Sequence, residues 1–306
     1  MRVSPTGTPR RLASHGRYPY RPVIEPVPYA WPEGRGLAVY VAVNLEVYAH
    51  DAAMLDELVP SAGRPDLVNH GWLDWGNRVG AWRLLDAMRE AGVPATALVN
   101  SDLYAEAPGL VEAWRGAGAE IAGHGRTNGE TQAGLDAAAE RVLIAEATET
   151  LAREEGCPPA GWLSPWIAQT ESTADLLAEA GYAYTLDWCA DDRPFPLHTR
   201  AGPLLAVPYP QEANDANAIA VRRMSAPDFA ALCLAQVEEM LLQAEGPTGG
   251  PLVCPIALHP HVTGQAHRLH AFRAVLERLA ALRDRVWLTT AGEIARVART
   301  GHGIDG

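Results

Sequence analysis

The sequence contains no lysine: all 25 of its basic residues are arginine. Without lysine there is no Schiff base, so a pyridoxal-phosphate anchor and a lysine-type aldolase are excluded. A Walker A loop and a kinase-type strand lysine are excluded too. Positive charge is also in deficit, with 37 acidic residues giving a formal net charge of −12. That balance argues against a general nucleic-acid binder, which needs a basic face. Cysteine is scarce. Cys157, Cys189, Cys233 and Cys254 form no CxxC pair, so neither a structural zinc site nor a thioredoxin-type motif is expected. Apolar runs never approach the roughly 18 residues of a membrane span. The N-terminal stretch MRVSPTGTPRRLASHGRYPYRP has charge but no apolar core, unlike a signal peptide. A cytoplasmic protein is expected.

What the sequence does contain is alternation. A Pro-, Arg- and aromatic-rich segment, 1–36, reads as an extended arm. Behind it, 37–306 reads as one domain. LAVYVAVNL (37–45) is apolar and β-branched and predicts a strand. Further strands are expected at 94–100, 120–125, up to 165, 182–188, 204–209, 253–260 and 286–290. Helical spacing falls between them at 78–91, 103–117, 135–155, 173–180, 227–244 and 267–282, with a short helix from about 291. The stretches 47–76 and 189–218 read as unusually long loops, which are often functional. Alternating strands and helices imply a parallel sheet. The α/β fold expected is a distorted (β/α) barrel of about seven units with parallel strands, with a doubly wound open sheet as the alternative.

In such a barrel, polar residues at the C-terminal strand ends converge on one face. Those ends carry Asn44 and Glu46, then Asn100-Ser101-Asp102, then His124 to Asn128, then Ser164-Pro165-Trp166, then Asp187, and finally His259 and His261. Asn44 and Glu46 are two apart, hence on one face of a strand. His124 lies between two glycines, which permit close backbone approach. His259 follows an apolar run, and imidazole titrates near neutral pH, so it is suited to proton transfer. Glu46, His124 and His259 are therefore the catalytic candidates. Asn44, Arg78, Arg126, Asn128, Trp166, Asp187, Asp191 and His261 are the candidates for substrate binding. With no lysine, Arg78 and Arg126 are the available anion clamps.

These stretches, in order, resemble the polysaccharide-deacetylase family (the family 4 carbohydrate-esterase type), which hydrolyses N- or O-acetyl groups on sugars. They are similar in particular to its intracellular branch of allantoinase-type amidohydrolases and peptidoglycan-deacetylase-like proteins. The resemblance is carried by WPEGRGLAVYVAVNLE (31–46), WGNRVGAWRLLDAMREAGVPATALVN (75–100), EIAGHGRTN (120–128), GWLSPW (161–166), ADDRPF (190–195) and LHPHVTG (258–264). It implies a distorted barrel with fewer than eight regular units. Metal-dependent members have an Asp pair at the first strand end, one acting as base and one as metal ligand. They also have two ligating histidines four residues apart. Here those positions read Asn44 and Glu46, and His124 and Asn128.

A carboxamide is a poorer zinc donor than imidazole. The cofactor expectation is therefore none, or a weakly bound divalent metal such as zinc on Glu46 and His124. The expected activity is hydrolysis of a non-peptide C–N bond (amide, cyclic amide or N-acetyl) in a small polar molecule. The rival reading is a degenerate fold that binds a small ligand without turnover. The expected partners are a small-molecule substrate, with no nucleic acid and no membrane, and a second copy of the chain in a homo-oligomer.

Overall fold

The computed structural model describes residues 13–51, 57–60, 63–246 and 249–304. Strand β1 (Leu37–Leu45) is buried along its whole length, as expected for a parallel strand covered on both faces. Its side chains alternate. Leu37, Val39, Val41, Val43 and Leu45 pack outward against the helices, while Ala38, Tyr40 and Ala42 face the interior cluster. Fully burying each Val or Leu contributes about 1.5–3 kcal/mol, so this strand is the spine of the fold.

The helix expected at 78–91 is longer than its periodicity suggests. It runs as α1 (Leu67–Trp75), a wider turn at Gly76–Gly80, and α2 (Ala81–Ala91). The Asp66 side chain caps its start by accepting from the Asn69 amide, so part of the stretch read as loop is helical. Strand β2 (Ala95–Val99) follows. The helix expected at 103–117 is split into α3 (Leu103–Glu106) and α4 (Pro108–Gly116). The cause is Pro108, which disfavours helical backbone at the residue before it and lacks an N–H. Then come β3 (Glu120–Gly123), α5 (Ala137–Glu155), β4 (Gly161–Trp162), α6 (Thr173–Glu179), β5 (Tyr184–Thr185), β6 (Phe195–Leu197) and β7 (Leu204–Ala206). The chain closes with α7 (Ala226–Ala244), β8 (Leu252–Leu258), α8 (Ala266–Ala281), β9 (Trp287–Leu288) and α9 (Ala291–Gly301).

The sheet order is β6-β7-β5-β4-β3-β2-β1-β8, with β9 added to β1 beside its first half. Among the described residues eight strands, β1 to β5 with β7, β8 and β9, are parallel. Strand β6 is antiparallel to β7, against the all-parallel expectation. Between β7 and β8 the ring is joined not by a strand ladder but by a bridge from Asn214 to Ala257 and a hydrogen bond from the Val253 amide to the Asp192 carbonyl. The result is a curled sheet forming a distorted barrel with a seam, which corrects the open-sheet alternative. That seam matters, because the chain crossing it carries a functional group into the interior.

The N-terminal end of the barrel is plugged. Helix α9 contributes Ala291, Ile294, Ala295 and Ala298 to the interior cluster beside Tyr29 and Trp31. The Trp31 indole N–H donates to the Leu252 carbonyl (2.9 Å), and the Tyr29 hydroxyl donates to the Pro194 carbonyl (3.2 Å). Arg17 pairs with Asp175 at 2.9 Å. The described part of the 1–36 arm thus packs on its own barrel. With one end filled, the open end is the one where the strand C-termini gather.

Candidate active site

Glu46 follows the last residue of β1 and turns into the barrel mouth. Its side chain is about 5% exposed. One carboxylate oxygen, Oε1, lies 3.4 Å from His124 Nε2 and 3.6 Å from His259 Nε2. The other, Oε2, accepts from the Tyr48 hydroxyl at 3.0 Å. His261 is 5.7 Å from His259 between ring centres and leans edge-on to Trp72.

Neighbouring groups fix both imidazoles. His124 Nδ1 meets the Leu163 carbonyl at 2.8 Å. A carbonyl only accepts, so Nδ1 carries the proton and Nε2 faces Glu46. His259 Nδ1 meets Asp215 Oδ1 at 2.7 Å, which places its Nε2 toward Glu46 by the same logic. Asp215 is fully buried. It also accepts from the His259 and Thr263 backbone amides (2.9 and 3.2 Å) and from the Thr263 hydroxyl (2.5 Å). Burial would push Glu46 up, but the imidazoles of His259, His124 and His261 outweigh it and bring the carboxyl down to about 2.

The glycines beside His124 are there for space. A Cβ on Gly123 would lie 2.9 Å from the Trp162 ring, and one on Gly125 would lie 2.7 Å from Pro165. Gly125 also has φ +69°, a conformation that favours glycine. Asn100 links two strand ends, accepting from Val47 N (2.9 Å) and donating to the His124 carbonyl. Trp166 holds φ +61° and Ile167 φ +54°, an unusual pair for non-glycine residues. That backbone lets the Trp166 indole donate to the Asn128 carbonyl at 2.8 Å and wall the cavity.

The cavity at the cluster is small, about 120 Å³, and is lined by Glu46, His124, Asn128, Trp166, Tyr209 and His259 among others. A larger one, about 620 Å³, meets it at Glu46 and opens past Tyr48, His50, His70 and Arg78. The titratable groups converge on the small cavity, which makes it the candidate site despite its lesser volume.

The remaining expected residues divide sharply. Asn44 is buried at the cluster, but its amide donates to Tyr209 and to the Leu258 carbonyl, tying β1 to its neighbours. Asn128 and Trp166 line the cavity. Asp187 sits behind it, accepting from the Ser164 amide and hydroxyl (2.7 and 2.8 Å). Arg78 is about three-quarters exposed beside Asp74 and reaches only the larger cavity. Arg126 is held by Glu130 and Glu146. Asp191 pairs with Arg193 near the N-terminal arm. Among the described residues no arginine lines the small cavity, so Arg78 and Arg126 do not reach the cluster. A charged residue just past a strand end need not point inward. Asp215 and Tyr48 were missed. Asp215 lies in the acidic, amide-rich run QEANDANA, where no spacing marks one carboxylate from its neighbours. Tyr48 could have been found, since it is two residues beyond Glu46.

The sequence pattern of polysaccharide deacetylases matches residues 70–185. Over that stretch the chain is similar to the polysaccharide-deacetylase family. A Schizosaccharomyces pombe protein classed with the polysaccharide deacetylases is 24% identical over 303 residues, covering 89% of this chain and 93% of that one. PuuE allantoinase has the same fold, with TM-score 0.79, 24% identity, and coverage of 97% of this chain and 99% of that one. So does a polysaccharide-deacetylase-type protein of Pseudomonas aeruginosa PAO1, with TM-score 0.78, 24% identity, and coverage of 96% and 99%.

The family resemblance implies a divalent ion at the positions of Glu46, His124 and Asn128, and the donors here fit one poorly. Among the described residues no three His, Cys, Asp or Glu side chains are arranged to hold a metal ion. Beside Glu46 and His124, the third position is the Asn128 carboxamide, a neutral and weaker donor. Among the described residues, no helix is long and apolar enough to cross a membrane.

Proposed function

We propose that the protein hydrolyses a non-peptide C–N bond in a small polar molecule: an amide, a cyclic amide or an N-acetyl group. The observation that carries this reading is the line Asp215–His259–Glu46, which ends in a cavity with His124 opposite. Asp215 fixes the ring and stabilises its protonated form, as a buried carboxylate does for a catalytic histidine. His259 Nε2 takes a proton from water as the water oxygen bonds to the carbonyl carbon. The resulting imidazolium then gives that proton to the leaving nitrogen as the C–N bond breaks, releasing a carboxylic acid and an amine. Glu46, an ionised carboxylate between two imidazoles, steadies the imidazolium. It is a weak base in that state, so the proton-transfer role moves from Glu46 to His259. His124 presents Nε2 to hold the water. The small cavity and the acidic chain favour a compact substrate over an anionic polymer. A family fold similar to an allantoinase and to deacetylases supports the same reaction class.

A second reading has one observation in its favour. Asn44 is turned into structural hydrogen bonds, as in a site that binds without turnover. The experiment that separates them is turnover on N-acetyl sugars, allantoin and related cyclic ureides. Hydrolysis by the wild type that Glu46→Gln and His259→Ala both lose supports the enzyme reading. Ligand-induced thermal stabilisation without hydrolysis supports the second.

A further inference from the structure

Asn128 stands where metal-dependent relatives have a second histidine, and its hydrogen bonds fix which way its amide points. Glu46 Oε2 is a carboxylate oxygen, an acceptor only. The Tyr48 hydroxyl, 3.0 Å away, must therefore donate to it. That hydroxyl proton is then committed, so the Tyr48 oxygen can only accept from Asn128. The atom 2.8 Å from it is accordingly the amide nitrogen. The carboxamide oxygen faces the other way. Among the described residues it is buried and has no hydrogen-bond partner, in a residue only 3% exposed that lines the small cavity. A buried acceptor left unpaired is costly, and such groups mark where a donor from outside the chain is meant to sit.

We propose that the Asn128 carboxamide oxygen accepts an N–H of the substrate and makes the site selective for amides and ureides over esters. The inference rests on the C–N hydrolysis reading and sharpens it. An amide brings a donor to this oxygen. An ester of the same shape brings an oxygen lone pair, which leaves the acceptor unpaired and adds repulsion. A site built to bond a substrate N–H rejects the analogue that lacks it far more strongly than an apolar pocket rejects a change in size. The Glu46–Tyr48–Asn128 relay is a local specificity device, because it denies the amide its other rotamer. The unpaired oxygen, unlike an imidazole nitrogen, cannot be protonated into a donor at ordinary pH.

The test uses two probes that differ only by N–H against O: N-methylacetamide and methyl acetate. Their dissociation constants are measured by saturation-transfer NMR on the full chain, for wild type, Asn128→Ala and Asn128→Leu, the last filling the lost volume. The wild type is expected to prefer the amide by about 10- to 100-fold, and both variants to bring the two probes within about 3-fold of each other. Should both Asn128 variants fail to fold, Tyr48→Phe releases the amide to rotate and is expected to weaken the same preference. No preference in the wild type, no binding of either probe, or a preference unchanged in the variants overturns the proposal. A preference seen only after zinc is added also overturns it, since the oxygen then serves a cation. Preference without turnover of any C–N substrate would remove the hydrolase reading and leave this one standing. Turnover without preference would do the reverse.

Discussion

Replacing Asp215 with Asn probes the line of groups that the mechanism depends on. The carboxylate accepts from the His259 ring at 2.7 Å, from the His259 and Thr263 amides, and from the Thr263 hydroxyl. Asparagine has one acceptor oxygen to offer. If its NH₂ faces the ring, His259 must move its proton to Nε2, and the nitrogen aimed at the cavity no longer accepts one. If its NH₂ faces Thr263 instead, the Thr263 amide is orphaned in the core, at about 1–3 kcal/mol. In both orientations the negative charge that stabilises the imidazolium is gone. General acid–base catalysis contributes about 10²–10⁴-fold, so kcat is expected to fall by that range with KM changed little. The assay is steady-state kinetics on the substrate that the panel identifies, with a thermal melt to track folding. A folded Asp215→Asn protein within a few-fold of wild-type kcat would refute the roles given to Asp215 and His259.

Burial pushes Asp187 up to about 6, against the hydrogen bonds from Ser164 that favour its ionised form. The folded state thus holds that proton more tightly than the unfolded chain, where an Asp titrates near about 3.9. Its stabilising contribution is full below that value and is lost as pH rises through about 6. Denaturation between pH 4 and 7 should show a loss on the order of 3 kcal/mol that Asp187→Asn abolishes; an identical slope in the variant contradicts this. Gly80→Ala places a Cβ 2.1 Å from the Pro260 carbonyl oxygen. Shifting that backbone moves the neighbouring His259, so activity should fall at least about 10-fold with about 1–3 kcal/mol of destabilisation; unchanged kinetics would contradict the tight packing there. With an amide at Asn128 in place of an imidazole, chelator-treated protein should keep its activity. Loss with chelator and recovery with zinc would overturn the donor-set argument.

The architecture was largely legible because its signals are local. An apolar β-branched run such as 37–45 can hardly be other than a buried strand, and the polar residues punctuating the strand ends named Glu46, His124 and His259, which the structure brings together. What stayed hidden depends on direction or on distance along the chain. Arg126 follows the same strand as His124, yet it points toward Glu130 and Glu146. Asp215 reaches His259 across 44 residues of sequence and across the seam of the barrel. Pro108 and the helix start at Leu67 were locally encoded but masked, one by good helix formers around it and the other by the polar, glycine-containing run beside it.

The most direct test of C–N hydrolysis at His259 is isotopic. The wild type and His259→Ala are run in H₂¹⁸O with the first productive amide or cyclic ureide, and the acid released is analysed by mass spectrometry. The account predicts one ¹⁸O in each acid formed by the wild type and only background cleavage by the variant. Labelled product formed equally fast by His259→Ala, or C–N cleavage without ¹⁸O incorporation, would contradict it.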